Sequence, residues 1–329
     1  MKTSPPLHIH TPLIESYPLS QALAKQVFLK MENLQPAGSF KLRGIGFLCQ
    51  QGYEQGVKHF VSSSGGNAGY AAAYAGRKLN IPTTVFVPKT TSAMLQCYIK
   101  TQGADVRIVG EVWDETHEAA LNFAQKANAL YISPFDHPLI WEGHATLVDE
   151  IVEEIGKPDA IILSVGGGGL FCGVMQGLIQ HHLTDIPIVA VETEGTASLA
   201  ASLKANQLVT LRQVTGVAKS LGAKKVARQA FDWASQYAVH SIVVSDAQAI
   251  DACIRFAGDH RSLVEPACGA SLSIAYQGHP FLEGARRIVI IVCGGIGASL
   301  ELMQEWKNMR ESDAVSATSF SKCSPMPAS

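Results

Sequence analysis

The strongest constraint on this chain is a series of short β-branched runs bounded by Gly, Pro or Ser, among them runs that are apolar throughout rather than alternating. They are 27–32 (VFLKME), 59–64 (HFVSSS), 83–88 (TTVFVP), 105–110 (DVRIVG), 160–167 (AIILSVGG), 186–192 (IPIVAVE), 241–246 (SIVVSD) and 287–295 (RIVIIVCGG). A strand without alternation is covered on both faces, which is the situation of a parallel sheet. Between the runs lie Ala-rich periodic segments, at 67–78, 112–127, 145–155 and 246–256. Strand–helix alternation of this kind predicts an α/β chain with parallel twisted sheets flanked by helices.

The 329 residues suit about two domains. The series divides into a small unit over 44–145 and a large one over 1–43 and 146–311, with a flexible Ser/Ala/Pro-rich tail over 312–329. The 26 basic and 28 acidic residues nearly cancel and form no basic stripe, which argues against nucleic acid as a partner. No apolar run is long enough for a membrane span. The N-terminus MKTSPPLHIHTP lacks the apolar core of a signal peptide, and the seven scattered cysteines read as free thiols. A cytoplasmic protein is expected. His8, His10, His181 and His182 have no third ligand in view and read as solvated.

Four segments can carry chemistry. In 35–44 (QPAGSFKLRG), Lys41 stands at a helix entry beside Phe40 and a Gly38–Ser39 turn. An arbitrary lysine is a surface group, but a partly buried one becomes a nucleophile that forms Schiff bases. In 62–69 (SSSGGNAG), small residues between a strand and a helix let backbone N–H groups approach an anion, and Asn67 adds an amide. In 164–173 (SVGGGGLFCG), four consecutive glycines shed every side chain at a strand–helix turn, which suits a nest around a phosphate. No Gly-Lys-Ser/Thr follows, so this is not a Walker loop. In 291–300 (IVCGGIGASL), a buried strand ends on Cys293, whose ordinary fate is a core thiol. Together these supply an amine, an anion loop, a phosphate cup and a small polar group.

In this order and spacing the set resembles the fold-type II pyridoxal-phosphate enzymes, with the architecture of the tryptophan synthase β-subunit. It is most similar to L-serine dehydratases/L-threonine deaminases of mammalian-liver type. The segments 135–148 (FDHPLIWEGHATLV), 214–222 (VTGVAKSLG) and 263–271 (LVEPACGAS) share the likeness, which runs to about residue 307. The resemblance implies pyridoxal 5′-phosphate bonded to Lys41, with Phe40 beside its ring, Asn67 on its phenolic oxygen and Cys293 facing the pyridine nitrogen. Gly166, Gly167, Gly168, Gly169 and Leu170 would hold the phosphate. Ser64, Gly65, Gly66 and Asn67 would take the substrate carboxylate. A monovalent cation, usually potassium, would sit near Gly166, Glu192, Thr196, Leu221 and Ala223.

The implied activity is dehydration and deamination of L-serine, and of L-threonine, by a homodimer. Serine racemases carry Ser where this chain has Gly65, and cysteine-synthase-type and threonine-synthase enzymes tend to Lys-Asp-Arg where it reads Lys41-Leu42-Arg43. Racemase, another fold-type II lyase and a weakly active cofactor-binding paralogue are the competing readings. Liver-type enzymes often have Ala at the position of Gly65, so a roomier and less efficient site is expected. No regulatory domain follows, and a catabolic role without isoleucine feedback is the expectation.

Overall fold

The computed structural model describes residues 5–308. The tail expected over 312–329, and residues 309–311 of the expected large unit, lie outside the described residues. In chain order the strands are β1 (Leu13–Glu15), β2 (Gln26–Lys30), β3 (Phe60–Ser62), β4 (Thr83–Val87), β5 (Asp105–Ile108), β6 (Leu130–Ile132), β7 (Ala160–Ser164), β8 (Ile188–Thr193), β9 (Val239–Val244) and β10 (Arg287–Ile291). They form a six-stranded sheet of order β1-β2-β10-β7-β8-β9 and a four-stranded sheet of order β5-β4-β3-β6.

Every residue of β4, β7 and β8 is buried. That accounts for their unbroken apolar character, because helices pack on both faces. All pairings are parallel except β1 against β2. Two strands, β1 (LIE) and β6 (LYI), are additions to the sequence reading; at three residues each they carry no periodicity to detect. One helix begins earlier than its apolar pattern, running Pro138–Ile155 with the His137 side chain accepting from the Leu139 N–H and Pro138 in its first turn.

Turns after the parallel strands lead into helices, β3 into Asn67–Leu79, β4 into Ala93–Thr101, β7 into Gly169–Gln180 and β9 into Asp246–His260. The helix Lys41–Glu54 starts beside the segment after β10, where the Phe40 N–H donates to the Cys293 carbonyl. At its base, Arg43 is fully buried and pairs with two carboxylates. Its Nε and Nη2 donate to Glu32 at 2.8 Å each, and its Nη1 and Nη2 donate to Glu150 at 2.7 Å each. Lys30, also fully buried, reaches Glu150 at 2.6 Å and the Thr11 carbonyl at 2.6 Å. Arg43 is thereby tied to the segment after β2 and to the Pro138–Ile155 helix at once.

His8 lies beside this network, and here the expectation of a solvated histidine fails. Burial, then the Arg43 charge, pull its pKa from 6.5 down to about 4. Folded His8 stays neutral where the unfolded chain already takes up a proton, so its share of stability is lost as pH falls from 6.5 toward about 4. A His8→Asn variant is expected to lose less thermal stability than the parent across that window. Thermal melts at its two ends check this, and parallel losses would refute it. His10 and His181 are surface groups, on Glu154 at 2.9 Å and on Asp149 at 2.7 Å.

Candidate active site

Lys41 is the first residue of its helix, with Phe40 as N-cap. The turn before it is stitched to the end of β10. Phe40 N–H donates to the Cys293 carbonyl at 3.2 Å, Gly295 N–H donates to the Gly38 carbonyl at 2.9 Å, and Ser39 bridges Gly294. A Cβ at Gly294 would lie 2.5 Å from the Gly38 oxygen, and Gly294 has φ +84°, so this approach needs glycine. The Lys41 side chain is half-buried, and its ammonium donates to the Pro134 carbonyl at 2.6 Å, 5.0 Å from the Phe40 ring centre. Burial lowers its pKa to about 8. A lysine so placed reaches its neutral, nucleophilic form far more readily than one in water.

Cys293 is buried at 6% exposure. A hydrogen bond with Cys268, then burial, push its thiol well above the usual value, so it stays protonated and uncharged.

The glycine turn after β7 sits across from Phe135. A Cβ at Gly167 would fall 2.3 Å from the Phe135 ring, and one at Gly168, with φ +91°, 2.6 Å from Ala230. Gly168 caps the helix Gly169–Gln180, and no side chain caps it. The first N–H groups of this twelve-residue helix are therefore left for an anion at its positive end. Leu170 is buried in the first turn.

The Ser64–Asn67 loop follows β3 and opens the helix Asn67–Leu79, whose N-cap, Gly66, also lacks a side-chain cap. Asn67 accepts from Ile296 N–H at 2.8 Å and donates to Glu265 at 3.1 Å. This brings the Asn67 loop onto the segment after Cys293. A Cβ at Gly65 would lie 2.4 Å from the Thr91 hydroxyl and 2.7 Å from its methyl. The space that Ala would occupy is filled by Thr91, so the roomier site expected of glycine is a differently filled one. Gly65→Ala alone is expected to raise KM at least severalfold, and Gly65→Ala with Thr91→Ser to recover part of that loss; equal KM in the two variants would contradict it.

The positions given to a cation are less uniform. Gly166 and Leu221 touch through backbone, where a Cβ on Gly166 would meet the Leu221 Cα at 2.9 Å, and Ala223 N–H donates to the Leu221 carbonyl at 2.7 Å. Glu192, fully buried, accepts from Leu199 and Ala200 N–H at 2.8 Å each, and burial raises its pKa to about 7. Both its oxygens thus serve the helix Ser198–Ala205. Thr196 turns its hydroxyl to Thr193 at 2.9 Å. β7 and β8 are neighbours, with Val165 N–H donating to Val191, which sets Gly166 next to the end of β8.

Three contributors were not singled out in the sequence. Glu265, Thr91 and His144 meet the site only through tertiary folding. His144 is fully buried, 5.0 Å from the Phe40 ring, with Nδ1 accepting from Gly44 N–H and Nε2 left without a protein partner. The only advance signs were the segments 263–271 and 135–148 in which two of them stand.

A half-buried lysine of lowered pKa, an uncapped glycine-lined helix start, a neutral thiol and an unpartnered Nε2 fit an aromatic aldehyde that carries a phosphate. Two largely parallel sheets with these groups on the turns and helix starts that follow their strands define the class: an α/β enzyme built to hold pyridoxal phosphate.

The comparisons agree. A family model described as "Pyridoxal-phosphate dependent enzyme" matches residues 5–294, and the chain belongs to that family. It is 49% identical over 311 residues to the mouse protein named "Serine dehydratase-like", covering 92% of this chain and 94% of that one. It is 47% identical over 318 residues to the human "L-serine dehydratase/L-threonine deaminase", covering 93% and 97%. A solved fungal L-serine ammonia-lyase from Rhizomucor miehei superposes with a TM-score of 0.88 at 37% identity, over 92% of this chain and 99% of that one. Maize serine racemase superposes with a TM-score of 0.84 at 25% identity, over 94% of each. The chain is a pyridoxal-phosphate-dependent lyase. Among the described residues no helix is long and apolar enough to cross a membrane.

Proposed function

We propose that the chain dehydrates and deaminates L-serine, and L-threonine, releasing pyruvate or 2-oxobutanoate with ammonia. The observation that carries this is the half-buried Lys41 amine held by the Pro134 carbonyl, with the Phe40 backbone before it stitched to Cys293 and the Asn67 loop bonded to Ile296 beyond Cys293. The relatives' names support the substrate class.

Lys41 is the residue that bonds the cofactor and, once freed, takes the α-proton of the substrate. The backbone N–H groups of Ser64, Gly65 and Gly66 hold the carboxylate and orient the Cα–H bond. Gly166 to Gly169 and Leu170 would hold the phosphate group, with Phe40 beside the ring and Asn67 toward its phenolic oxygen. Pyridoxal phosphate, when bound, supplies the sink for the electrons left at Cα. The uncharged Cys293 thiol would donate no formal proton to the ring nitrogen, so less of the charge left at Cα would be drawn into the ring. That favours breaking the Cβ–O bond, with loss of water, over transamination. Released 2-aminoacrylate takes up water and yields pyruvate and ammonia.

Gly65 itself carries no hydroxyl where racemases have Ser, which speaks against racemisation, although the Thr91 hydroxyl lies 2.4 Å from where its Cβ would stand. Backbone groups near Gly166, Leu221 and Ala223 suit a potassium ion, with Glu192 and Thr196 at the adjoining strand end. The enzyme acts as a cytoplasmic homodimer. The test is a keto-acid assay with L-serine, D-serine and L-threonine in parallel, in potassium and in sodium. Keto acid from the L-amino acids and a potassium requirement support the reading. Formation of D-serine without keto acid would replace it with racemisation.

A further inference from the structure

Glu265 ends the turn before the helix Pro266–Gln277 and stands at its N-cap, yet its side chain makes no cap bond. The carboxylate, in a residue only 7% exposed, turns instead toward the site. It accepts from the Asn67 amide at 3.1 and 3.3 Å, the Ser220 hydroxyl at 2.6 Å and the Gly297 N–H at 2.7 Å. These donors come from three segments far apart in sequence: the start of the Asn67–Leu79 helix, the turn that contains Leu221, and the loop after Cys293. All are donors, which is the set an ionised carboxylate needs when removed from water. Gly295 makes room for it. A Cβ there would lie 2.0 Å from the Glu265 carboxyl carbon, and its φ is +138°.

We propose that Glu265 is a positioning residue: it fixes the Asn67 amide and locks the loop that follows β3 onto the loop that follows β10. The inference rests on the reading of Asn67 as a cofactor contact. Asn67 gives its oxygen to Ile296 N–H and its amide to Glu265, so a flipped amide would set oxygen against carboxylate and lose the Ile296 bond. The carboxylate therefore decides which end of Asn67 faces which neighbour.

Glu265→Gln keeps size and shape but puts an NH2 on one oxygen position. Either oxygen position faces the Asn67 amide, so one placement or the other sets two donors against each other there. Ser220 tolerates the change, since its hydroxyl also accepts. A second change, Asn67→Asp, removes the conflict: the new carboxylate accepts from both the introduced glutamine amide and the Ile296 N–H.

The measurement is hydrogen exchange in the holoenzyme, without substrate, on the peptide carrying the Ile296 and Gly297 amides. In Glu265→Gln their exchange is expected to quicken about 10- to 100-fold, with a changed cofactor absorbance spectrum. In Asn67→Asp/Glu265→Gln protection is expected to return, while the spectrum stays altered for want of the amide donor. Ser220→Ala, which removes one donor of three, should quicken exchange less than Glu265→Gln and keeps the test alive if that variant does not fold. Unchanged exchange in Glu265→Gln, or no recovery in the double variant, overturns the proposal. Because the readout needs no turnover, a wild type that fails to deaminate serine would defeat the functional reading and leave this test standing.

Discussion

Lys41→Ala is expected to abolish covalent retention of pyridoxal phosphate and to lower turnover by about 10³-fold or more, since one substitution removes both the bonded amine and the general base. The setting of Lys41 explains why no neighbour can take its place: its amine bonds to a backbone carbonyl, and the Cys293 thiol stays protonated. Borohydride reduction followed by peptide mass spectrometry checks this directly. The wild type should carry the cofactor's mass on the peptide containing Lys41, and the variant should carry none. Cofactor mass on a different lysine of the wild type would remove Lys41 from the site.

The second large effect concerns stability. Arg43→Met leaves Glu32 and Glu150 facing each other's surroundings without the guanidinium that joined them, in a region closed to water. Breaking a buried pair by removing one partner costs about 3–5 kcal/mol, because the remaining charge must find a proton or water. Lys30 still neutralises Glu150 at 2.6 Å, while Glu32 keeps only the Thr11 hydroxyl and the Gln35 amide. The damage therefore falls mainly on Glu32 and the segment after β2. Arg43→Lys should be intermediate, since an ammonium cannot reach both carboxylates through a planar fork. Denaturant unfolding measures both, and a loss below about 1 kcal/mol for Arg43→Met, against the range for a broken buried pair, would show that the network does not hold the fold. Since Arg43 is two residues from Lys41, the same change is expected to loosen the cofactor lysine.

What the sequence disclosed and what it hid follow from the reach of each interaction. β4, β7 and β8 were legible because burial on both faces leaves an unbroken apolar run. β1 and β6 were not, since three residues are too few to show a pattern, and β1 is defined by its partner β2 rather than by its own residues. The early start of the Pro138–Ile155 helix was written in His137-Pro138, a capping pair outside the apolar stripe. Lys41, Asn67, the glycines at 166–169 and Cys293 could be marked because each stands at a strand end or helix start within a local signature. Glu265, Thr91 and His144 carry no local signature. Glu265 lies 198 residues from Asn67, and the conflict of Thr91 with a Cβ at Gly65 exists only once β3 and β4 are paired. The reading of Gly65 as extra room went astray for the same reason: a missing methyl says nothing of the side chain that moves in.

At the centre stands the elimination of water from an L-hydroxyamino acid with Lys41 as the base. The most direct test is the release of pyruvate and ammonia from L-serine by the holoenzyme, beside a Lys41→Ala control loaded with pyridoxal phosphate. Pyruvate and ammonia in equal amounts from the wild type, and neither above background from the control, is the predicted result. A wild type that retains its cofactor on Lys41 yet forms no keto acid, or a control that forms it as fast, would contradict that role.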